Sequence, residues 1–457
     1  MIEFETDSRK VKPGQTFVAI KGFTVDGHDY IESAIKNGAT KIVAEKEVEA
    51  SVPVEIVENT KEYLKNTLIE KYSNEFKDMK IIGVTGTNGK TTTCYLTYQF
   101  LNKLGIKTAY IGTIGFYYEN HQEELPNTTP DILTIYKLFM EAKENNCTHV
   151  VMEVSSHSLE EERIAGIHFN VAAFTNLTQD HLDFHKSMEN YLNAKLKIFN
   201  YLNTDGVLIV NNDDSYADSF INYDDHKVLT LGYNDNSYIK INEVHYTPIN
   251  TTINFDENNE EKIVVTNLTS KFNVYNYLTC YLILRNLGYS YEEIKNITKD
   301  VYPPKGRCEI IEVNDGFAVI DYAHTPDAVE KVINSFLELK QNRIITIVGC
   351  GGDRDPIKRP IMGEIACRLS DHVIFTNDNP RTEDPHNIMN DITKDLKYDN
   401  YEIEFDRKEA IFKGINSMNK GDILLILGKG HEDYQILGRE KIHFDDHEVV
   451  EEWKKEN

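Results

Sequence analysis

A glycine-rich segment, Gly83-Val84-Thr85-Gly86-Thr87-Asn88-Gly89-Lys90-Thr91-Thr92-Thr93, follows an apolar run and precedes a helical pattern that stops at Gly105. Glycines there let backbone N–H groups wrap phosphate oxygens, and a helix N-terminus adds partial positive charge. Lys90 is placed to reach the β- and γ-phosphates of a nucleotide, and the Thr91 hydroxyl to ligate Mg²⁺. The strict phosphate-loop spacing asks for glycine at position 84, where Val84 stands. The strand–loop–helix context carries the assignment.

Further along, Glu153 closes the apolar run that starts at Thr148. A buried carboxylate is costly unless paired or bound to a metal, so Glu153 reads as a metal ligand. Ser155-Ser156-His157 follows without a G-x-S-x-G elbow, which favours hydroxyls that bind substrate over a serine nucleophile. In Thr175-Asn176-Leu177-Thr178-Gln179-Asp180-His181-Leu182-Asp183-Phe184-His185, the two histidines stand four apart and could share a helix face. The glutamate of a zinc-hydrolase H-E-x-x-H is missing, so a nucleotide-linked Mg²⁺ site is the favoured reading over zinc or a structural polar cluster.

In the last third, Gly349-Cys350-Gly351-Gly352-Asp353-Arg354 departs from a dinucleotide fingerprint at its final position, which is Arg354. Asp378-Asn379-Pro380-Arg381 closes a neighbouring strand, so two arginines stand at adjacent strand ends. Arginine suits bidentate recognition of a carboxylate. Gly428-Lys429-Gly430-His431-Glu432-Asp433 closes the final strand and completes a third polar wall.

The elements that must position these groups alternate between apolar runs and helical segments, the pattern of an α/β protein with parallel strands. A short α/β pattern comes first: a strand Thr16 to Lys21, a helix Tyr30 to Asn37 and a strand Lys41 to Ala44. Strands are then expected from Lys80, Thr148, Asn170 and Gly206, and after Pro303-Pro304 from Gly316, Arg343, His372 and Gly421. Thr325 and Pro326 suit the N-cap and first position of a helix running to Leu339. The stretch Asn211 to Lys262 reads as surface strands and loops, with a solvated connection as the alternative. Nearly every apolar run ends in polar, glycine or charged residues, and ligands of open parallel sheets sit beyond the carboxyl ends of the strands.

The 457 residues imply about three domains at roughly 150 residues each. We place them at 1–78, 79–302 and 303–457. With 49 Lys and Arg against 74 Asp and Glu, the formal charge is −25, which argues against nucleic acid and basic membrane-surface partners. Six cysteines without a C-x-x-C pair, and no apolar leader in MIEFETDSRK, lead us to expect reduced thiols and a cytoplasmic location. No apolar run is long enough for membrane insertion.

GTNGKTT, EVSSHSL, TNLTQDHLDFH, YLNAKLKIF, KFNVYN, DYAHTP, GCGGDRD, DNPRTEDP and GKGHEDYQ occur in this order. Together they resemble the Mur ligases, most closely the diaminopimelate-adding branch, from Asp7 to Asp433. The resemblance implies three domains: an N-terminal one gripping the UDP end of the substrate, a central P-loop-type ATPase with a mainly parallel sheet, and a C-terminal Rossmann-like domain receiving an amino acid. It implies that Gly86, Thr87, Asn88, Gly89, Lys90, Thr91 and Thr92 hold ATP, with Asn273, Asn276, Arg307 and Asp321 also on the nucleotide side. Lys90, Glu153, His181 and Lys195 form the implied catalytic set. Thr91, Glu153 and His181 look like the Mg²⁺ environment, joined by Lys195, which matches the lysine that the family carbamylates to N6-carboxylysine. Asn127, Thr128, Thr129, Ser155, Glu161 and Arg163 match positions that hold UDP-N-acetylmuramoyl-L-Ala-D-Glu, and Ser8 its uridine end. Arg354, Asp378, Asn379, Pro380, Arg381, Gly428 and Glu432 match a meso-diaminopimelate pocket. Glu161 stands where the family often has Gln, and Ser270-Lys271 replaces a common Gly-Arg. The lead-in before Asp7 is shorter than the family's usual one.

The resemblance implies a monomeric ligase that makes an amide through an acyl phosphate. The competing readings are a sibling ligase using another amino acid such as L-lysine, a folylpolyglutamate-type ligase, or a non-catalytic cell-wall scaffold. All the implied ligands are anionic, so positive charge must be concentrated locally at Lys90, Arg163, Arg307, Arg354, Arg381 and the metal. A lysine-adding enzyme has no use for the DNPR arginine, because lysine lacks the distal carboxylate. Arg381→Ala is therefore expected to lose diaminopimelate use far more than ATP binding, measured by acceptor titration beside nucleotide binding. Equal loss of both refutes the assignment.

Overall fold

The computed structural model describes residues 2–22 and 25–456. Residue contacts group the chain into two compact units, Met1–Thr230 with Leu282–Tyr289, and Leu231–Tyr281 with Ser290–Asn457.

The first unit opens with four short parallel strands, Phe4–Glu5, Thr16–Val18, Lys41–Ala44 and Val54–Ile56, paired in that order. The second strand stops at Val18, short of the Lys21 expected from its apolar run. The helix after it spans Ile31–Lys36, within the expected range. Next comes a larger sheet with Leu202–Asn211, Phe169–Phe174, Lys80–Thr85, His149–Glu153 and Thr108–Gly112 as parallel neighbours. Strands Gly115–Tyr118 and His121–Glu123 continue it antiparallel. The inner strands are buried along nearly their whole length, as parallel strands covered on both faces must be. One hydrophobic cluster joins Phe4, Val18 and Leu64 of the N-terminal layer to Phe76, Phe139 and Met152 of the larger one. Its strands feed their carboxyl ends into Gly86, Thr113, Ser155 and Thr175.

The strand within the run from Thr148 closes where expected. The strand ends at Glu153, and Ser155 caps a helix, Ser156–Glu160, by accepting the Ser158 N–H at 3.1 Å. A serine hydroxyl competes for backbone donors and so favours the cap over a continued strand.

The second unit contains an antiparallel meander, Ile239–Tyr246, Thr251–Glu257 and Glu260–Thr266. It buries Ile239, Ile241, Ile253 and Phe255, which excludes a merely solvated connection for Asn211 to Lys262. Burial alternates strictly along the middle strand, the period of a half-covered sheet. Beside it lies a six-stranded sheet ordered Glu309–Val313, Gly316–Asp321, Ile423–Leu427, Ile344–Val348, His372–Phe375 and Tyr401–Ile403, parallel except for its first pair. Helices cover it; Pro326–Leu337 starts where expected, with the Thr325 hydroxyl accepting from Ala328 N–H, and ends two residues early. The carboxyl ends of its strands lead into Asp321, Gly349–Asp353, Asp378–Arg381 and Gly428–Glu432. Among the described residues no helix is long and apolar enough to cross a membrane.

His149, at the start of a buried strand, has its pKa lowered to about 4 by burial and then by the Lys80 charge. The unfolded chain protonates this ring near pH 6.5 and the folded chain only near 4. The unfolded state therefore binds more protons between those values, and stability falls as pH drops through that window. Urea unfolding at pH 7 and pH 5 should show the loss, and His149→Gln should reduce the pH slope by about one proton. An unchanged slope rejects the assignment.

Candidate functional site

The glycine loop leaves strand Lys80–Thr85 at Gly86, whose φ is +147°. A Cβ at Gly86 would lie 1.9 Å from Thr175 Oγ1, so only glycine fits. The segment after strand Phe169–Phe174 laces this loop into shape. Thr175 Oγ1 donates to Asn88 O at 2.6 Å, and Asn176 Oδ1 accepts from Asn88 N–H at 2.9 Å. Thr178 N–H donates to Thr87 Oγ1 at 3.0 Å. Helix Lys90–Lys103 then begins after Gly89, which offers no side-chain cap, and Thr91 and Thr92 are buried in its first turn. A helix start with no side-chain acceptor suits an anion such as a nucleotide phosphate.

Two lysines converge on the loop. Lys90 Nζ donates to Gly86 O at 2.9 Å and to Thr87 O at 2.8 Å, folded back on its own turn. Lys195 Nζ donates to the same Gly86 oxygen at 2.8 Å and lies 4.7 Å from the Tyr191 ring centroid. Lys195 is fully buried, and burial followed by the Lys90 charge pushes its amine well below the ordinary lysine range. A neutral amine is the form that can add CO₂ to become a carbamate.

Glu153 is completely buried and completely satisfied. Its Oε1 accepts from Tyr110 OH at 2.5 Å and Thr113 N–H at 2.8 Å; its Oε2 accepts from Thr91 Oγ1 at 2.9 Å and Thr113 Oγ1 at 3.1 Å. Hydrogen bonds thus supply the pairing that the sequence reading assigned to a metal. The juxtaposed Glu153 and Thr91 oxygens are still the hard donors that Mg²⁺ selects, so the residues fit that ion. Among the described residues, no group of three or more His, Cys, Asp and Glu side chains is assembled to hold a metal.

His181 and His185 do not share a helix face. His181 stands before the short helix Leu182–His185 in a left-handed conformation, φ +52°, and is exposed. Its ring meets His157 edge-on at 4.9 Å. His185 is buried against Ser156 Oγ at 2.9 Å.

The residues matched to the muramoyl-dipeptide largely come together. Thr129 Oγ1 donates to Glu153 O at 2.8 Å and accepts from Ser155 N–H at 3.0 Å, while Thr128 Oγ1 meets Thr113 Oγ1 at 3.0 Å. Arg163 is engaged internally: it donates to Glu161 at 2.8 Å and to Thr129 O at 2.8 Å. Asn127 is exposed nearby in sequence, whereas Ser8 is buried in the N-terminal layer, where its carbonyl accepts from Asn37 at 2.8 Å.

In the second unit, Asn273 and Asn276 are buried on helix Lys271–Asn286 and linked at 2.9 Å. Asp321 accepts from Cys308 and Ala323 N–H, each at 2.8 Å; burial raises its pKa and the Arg307 charge opposes that. The Arg307 guanidinium lies 4.6 Å from the Tyr322 ring centroid, and its buried Nε has no hydrogen-bond partner among the described residues. The two arginine loops are stitched together, with Gly352 N–H donating to Asn379 O at 2.9 Å and Thr382 N–H donating to Asp353 at 3.0 Å. Arg381, at φ +51°, donates Nη1 to Gly352 O at 2.9 Å, leaving Nε and Nη2 without a partner among the described residues. Arg354 is exposed, and Asp378 is buried so close to Gly428 that a Cβ there would meet its Oδ2 at 2.5 Å.

Sequence reasoning missed Tyr110 and Thr113, which complete the Glu153 shell from a neighbouring strand end. It also missed Arg359, buried beneath the arginine loops and paired with Glu383 at 2.6 Å. Lys429, between two named glycines, was the one with a visible signal. Glu153→Gln should leave the fold standing, because the Thr91 and Thr113 hydroxyls can rotate to accept from an amide, costing about 1–2 kcal/mol. Removal of the charge is expected to lower ATP turnover by at least about 100-fold, a loss of some 2.7 kcal/mol in transition-state stabilisation. Thermal melting beside phosphate release checks both halves; full turnover in a folded variant rejects the role.

Comparison with known proteins covers nearly the whole chain. Residues 4–75 match the model described as Mur ligase family, catalytic domain; residues 84–284 match Mur ligase middle domain; residues 306–430 match Mur ligase, glutamate ligase domain. A UDP-N-acetylmuramoyl-L-alanyl-D-glutamate–2,6-diaminopimelate ligase of Clostridium perfringens is 43% identical over 97% of this chain and 93% of its own. The protein of the same name from Bacillus cereus is 42% identical over 98% and 93%. A solved structure of a ligase with that name superposes with a TM-score of 0.71 at 31% identity, covering 99% of this chain and 94% of that one. The MurF ligase of Thermotoga maritima shares the fold alone, with a TM-score of 0.70 at 21% identity over 99% and 97%. With likeness running from end to end and three family models in succession, this chain belongs to the Mur ligase family.

Proposed function

We propose that this chain joins meso-diaminopimelate to the D-glutamate γ-carboxylate of UDP-N-acetylmuramoyl-L-Ala-D-Glu, at the expense of ATP, in peptidoglycan precursor synthesis. The observation that carries the reading is the partly unpaired Arg381 fork, held beside a buried Asp378 in a chain whose relatives bear that name. A carboxylate is a poor electrophile at neutral pH, so it must be activated. The γ-carboxylate attacks the terminal phosphorus of ATP, releasing ADP and forming an acyl phosphate. The diaminopimelate amine adds to the acyl carbon, a proton leaves the nitrogen, and the tetrahedral intermediate expels phosphate to leave the amide.

The chain's own part is positioning and charge stabilisation. Gly86 to Thr92 hold the ATP phosphates, and Asn273, Asn276, Arg307 and Asp321 the rest of the nucleotide. Lys90, released from its loop carbonyls, turns to the transferring phosphoryl group. Asn127, Thr128, Thr129, Ser155, Glu161 and Arg163 orient the muramoyl-dipeptide and Ser8 its uridine end. Arg354, Asp378, Asn379, Pro380, Arg381, Gly428 and Glu432 hold diaminopimelate. Mg²⁺, when bound through Thr91, Glu153, His181 and Lys195 as its carbamate, supplies charge neutralisation for the phosphates. The roles divide over segments 1–78, 79–302 and 303–457. We place the enzyme in the cytoplasm, as a monomer.

Phosphate release should require both the UDP-muramoyl-dipeptide and an amine acceptor. Across diaminopimelate isomers, L-lysine and ornithine, acceptors lacking the distal carboxylate are expected to fall on the order of 100-fold in kcat/KM, because they forgo charged hydrogen bonds to the half-buried Arg381 fork. Phosphate release indifferent to diaminopimelate sinks the ligase reading, and equal use of L-lysine moves the chain to a sibling activity.

A further inference from the structure

Lys429 follows strand Ile423–Leu427 and stands between two glycines at the carboxyl edge of the sheet. None of the roles above uses it, yet its side chain is 0% exposed. A buried ammonium persists only where it is paired and hydrogen-bonded, so its partners define its purpose.

Those partners are Asn379 and Glu432, both assigned to the acceptor pocket. Lys429 Nζ lies 3.3 Å from Asn379 Oδ1 and 3.2 Å from Glu432 Oε2, with the Tyr434 ring centroid 5.5 Å away. The Asn379 amide is oriented from three sides. Its oxygen also accepts from Ile436 N–H at 2.9 Å, and its Nδ2 donates to Glu432 Oε2 at 2.9 Å. A flipped amide would press its NH₂ against an ammonium and a backbone N–H, so Lys429 and Ile436 together select the observed orientation. Glu432 is held by the same lock. Both donors use Oε2, which leaves Oε1 without a partner among the described residues.

We propose that Lys429 is the positioning residue of the amino-acid pocket. It fixes the Asn379 amide and immobilises one oxygen of Glu432, so that the other oxygen can receive the ammonium of an incoming zwitterionic amino acid. Its charge also offsets that of Glu432, so that the pocket favours a zwitterion over a simple cation. The inference rests on the diaminopimelate reading above, and the test separates the two.

Steady-state kinetics on the full chain would compare the wild type with Lys429→Met and Lys429→Arg, titrating each of the three substrates. Lys429→Met is expected to raise KM for diaminopimelate on the order of 10- to 100-fold, as loss of charged hydrogen bonds implies. KM for ATP and for the UDP-muramoyl-dipeptide should stay within about twofold, the signature of a lost acceptor contact. Lys429→Arg keeps the charge and should recover part of the acceptor affinity. An unchanged acceptor KM in Lys429→Met, or three KM values rising together, overturns the proposal. If Lys429→Met shows no ATP-dependent rise in Tm and so is not folded, Lys429→Gln is read by the same split. Failure of both to fold assigns the lysine to stability alone and also overturns it. A wild type whose phosphate release ignores diaminopimelate rejects the underlying ligase reading; a wild type that depends on it beside an unaffected Lys429→Met rejects only the positioning role.

Discussion

Two lysine side chains, Lys90 and Lys195, donate to a single carbonyl oxygen, that of Gly86, at 2.9 and 2.8 Å. Two full positive charges this close, one of them entirely buried, are not tolerated without a counterion. The burial of Lys195 resolves the conflict by favouring its neutral form. Much of the first unit follows from that convergence. Gly86 must lack a side chain so that Thr175 can close over it, and the Thr175–Thr178 segment must grip the loop so that its carbonyls point at the lysines. Tyr191 covers Lys195 and bonds Thr87 at 3.2 Å, closing the same circle.

The acidic side of that unit is built by the opposite device. Glu153 is buried as deeply as Lys195, but four hydrogen bonds from three residues keep it satisfied. Burial and the Lys90 charge thus lower the basicity of Lys195, while hydrogen-bond donors hold the buried Glu153. The second unit uses direct ion pairs instead, with Lys429 beneath Glu432 and Arg359 beneath Glu383, each cation buried and each carboxylate partly open.

Much was legible without coordinates, for definable reasons. Parallel strands buried on both faces read as continuous apolar runs, so Lys80–Thr85, Ile344–Val348 and Ile423–Leu427 were visible within a residue or two. Glycine loops announce themselves because backbone approach leaves no alternative residue. What failed was reasoning from spacing where the local backbone changes. His181 and His185 stand four apart, yet the helix begins only at Leu182, and His181 is left-handed, so helical spacing does not relate the two rings.

The sequence by itself determined the α/β class, the strand ends at which polar groups gather, and the ordered motifs that mark the family. These depend on local periodicity and on residue types that only one chemistry requires. Only the tertiary structure decided which groups share a site. Thr113 and Tyr110 reach Glu153 from a different strand, Thr175 reaches Asn88 across 87 positions, and Lys429 reaches Asn379 across 50. Such pairings are set by strand order in the sheet, and no local pattern encodes that order. The protonation of Lys195 belongs here too, because it follows from burial and a neighbouring charge that exist only once the chain has folded.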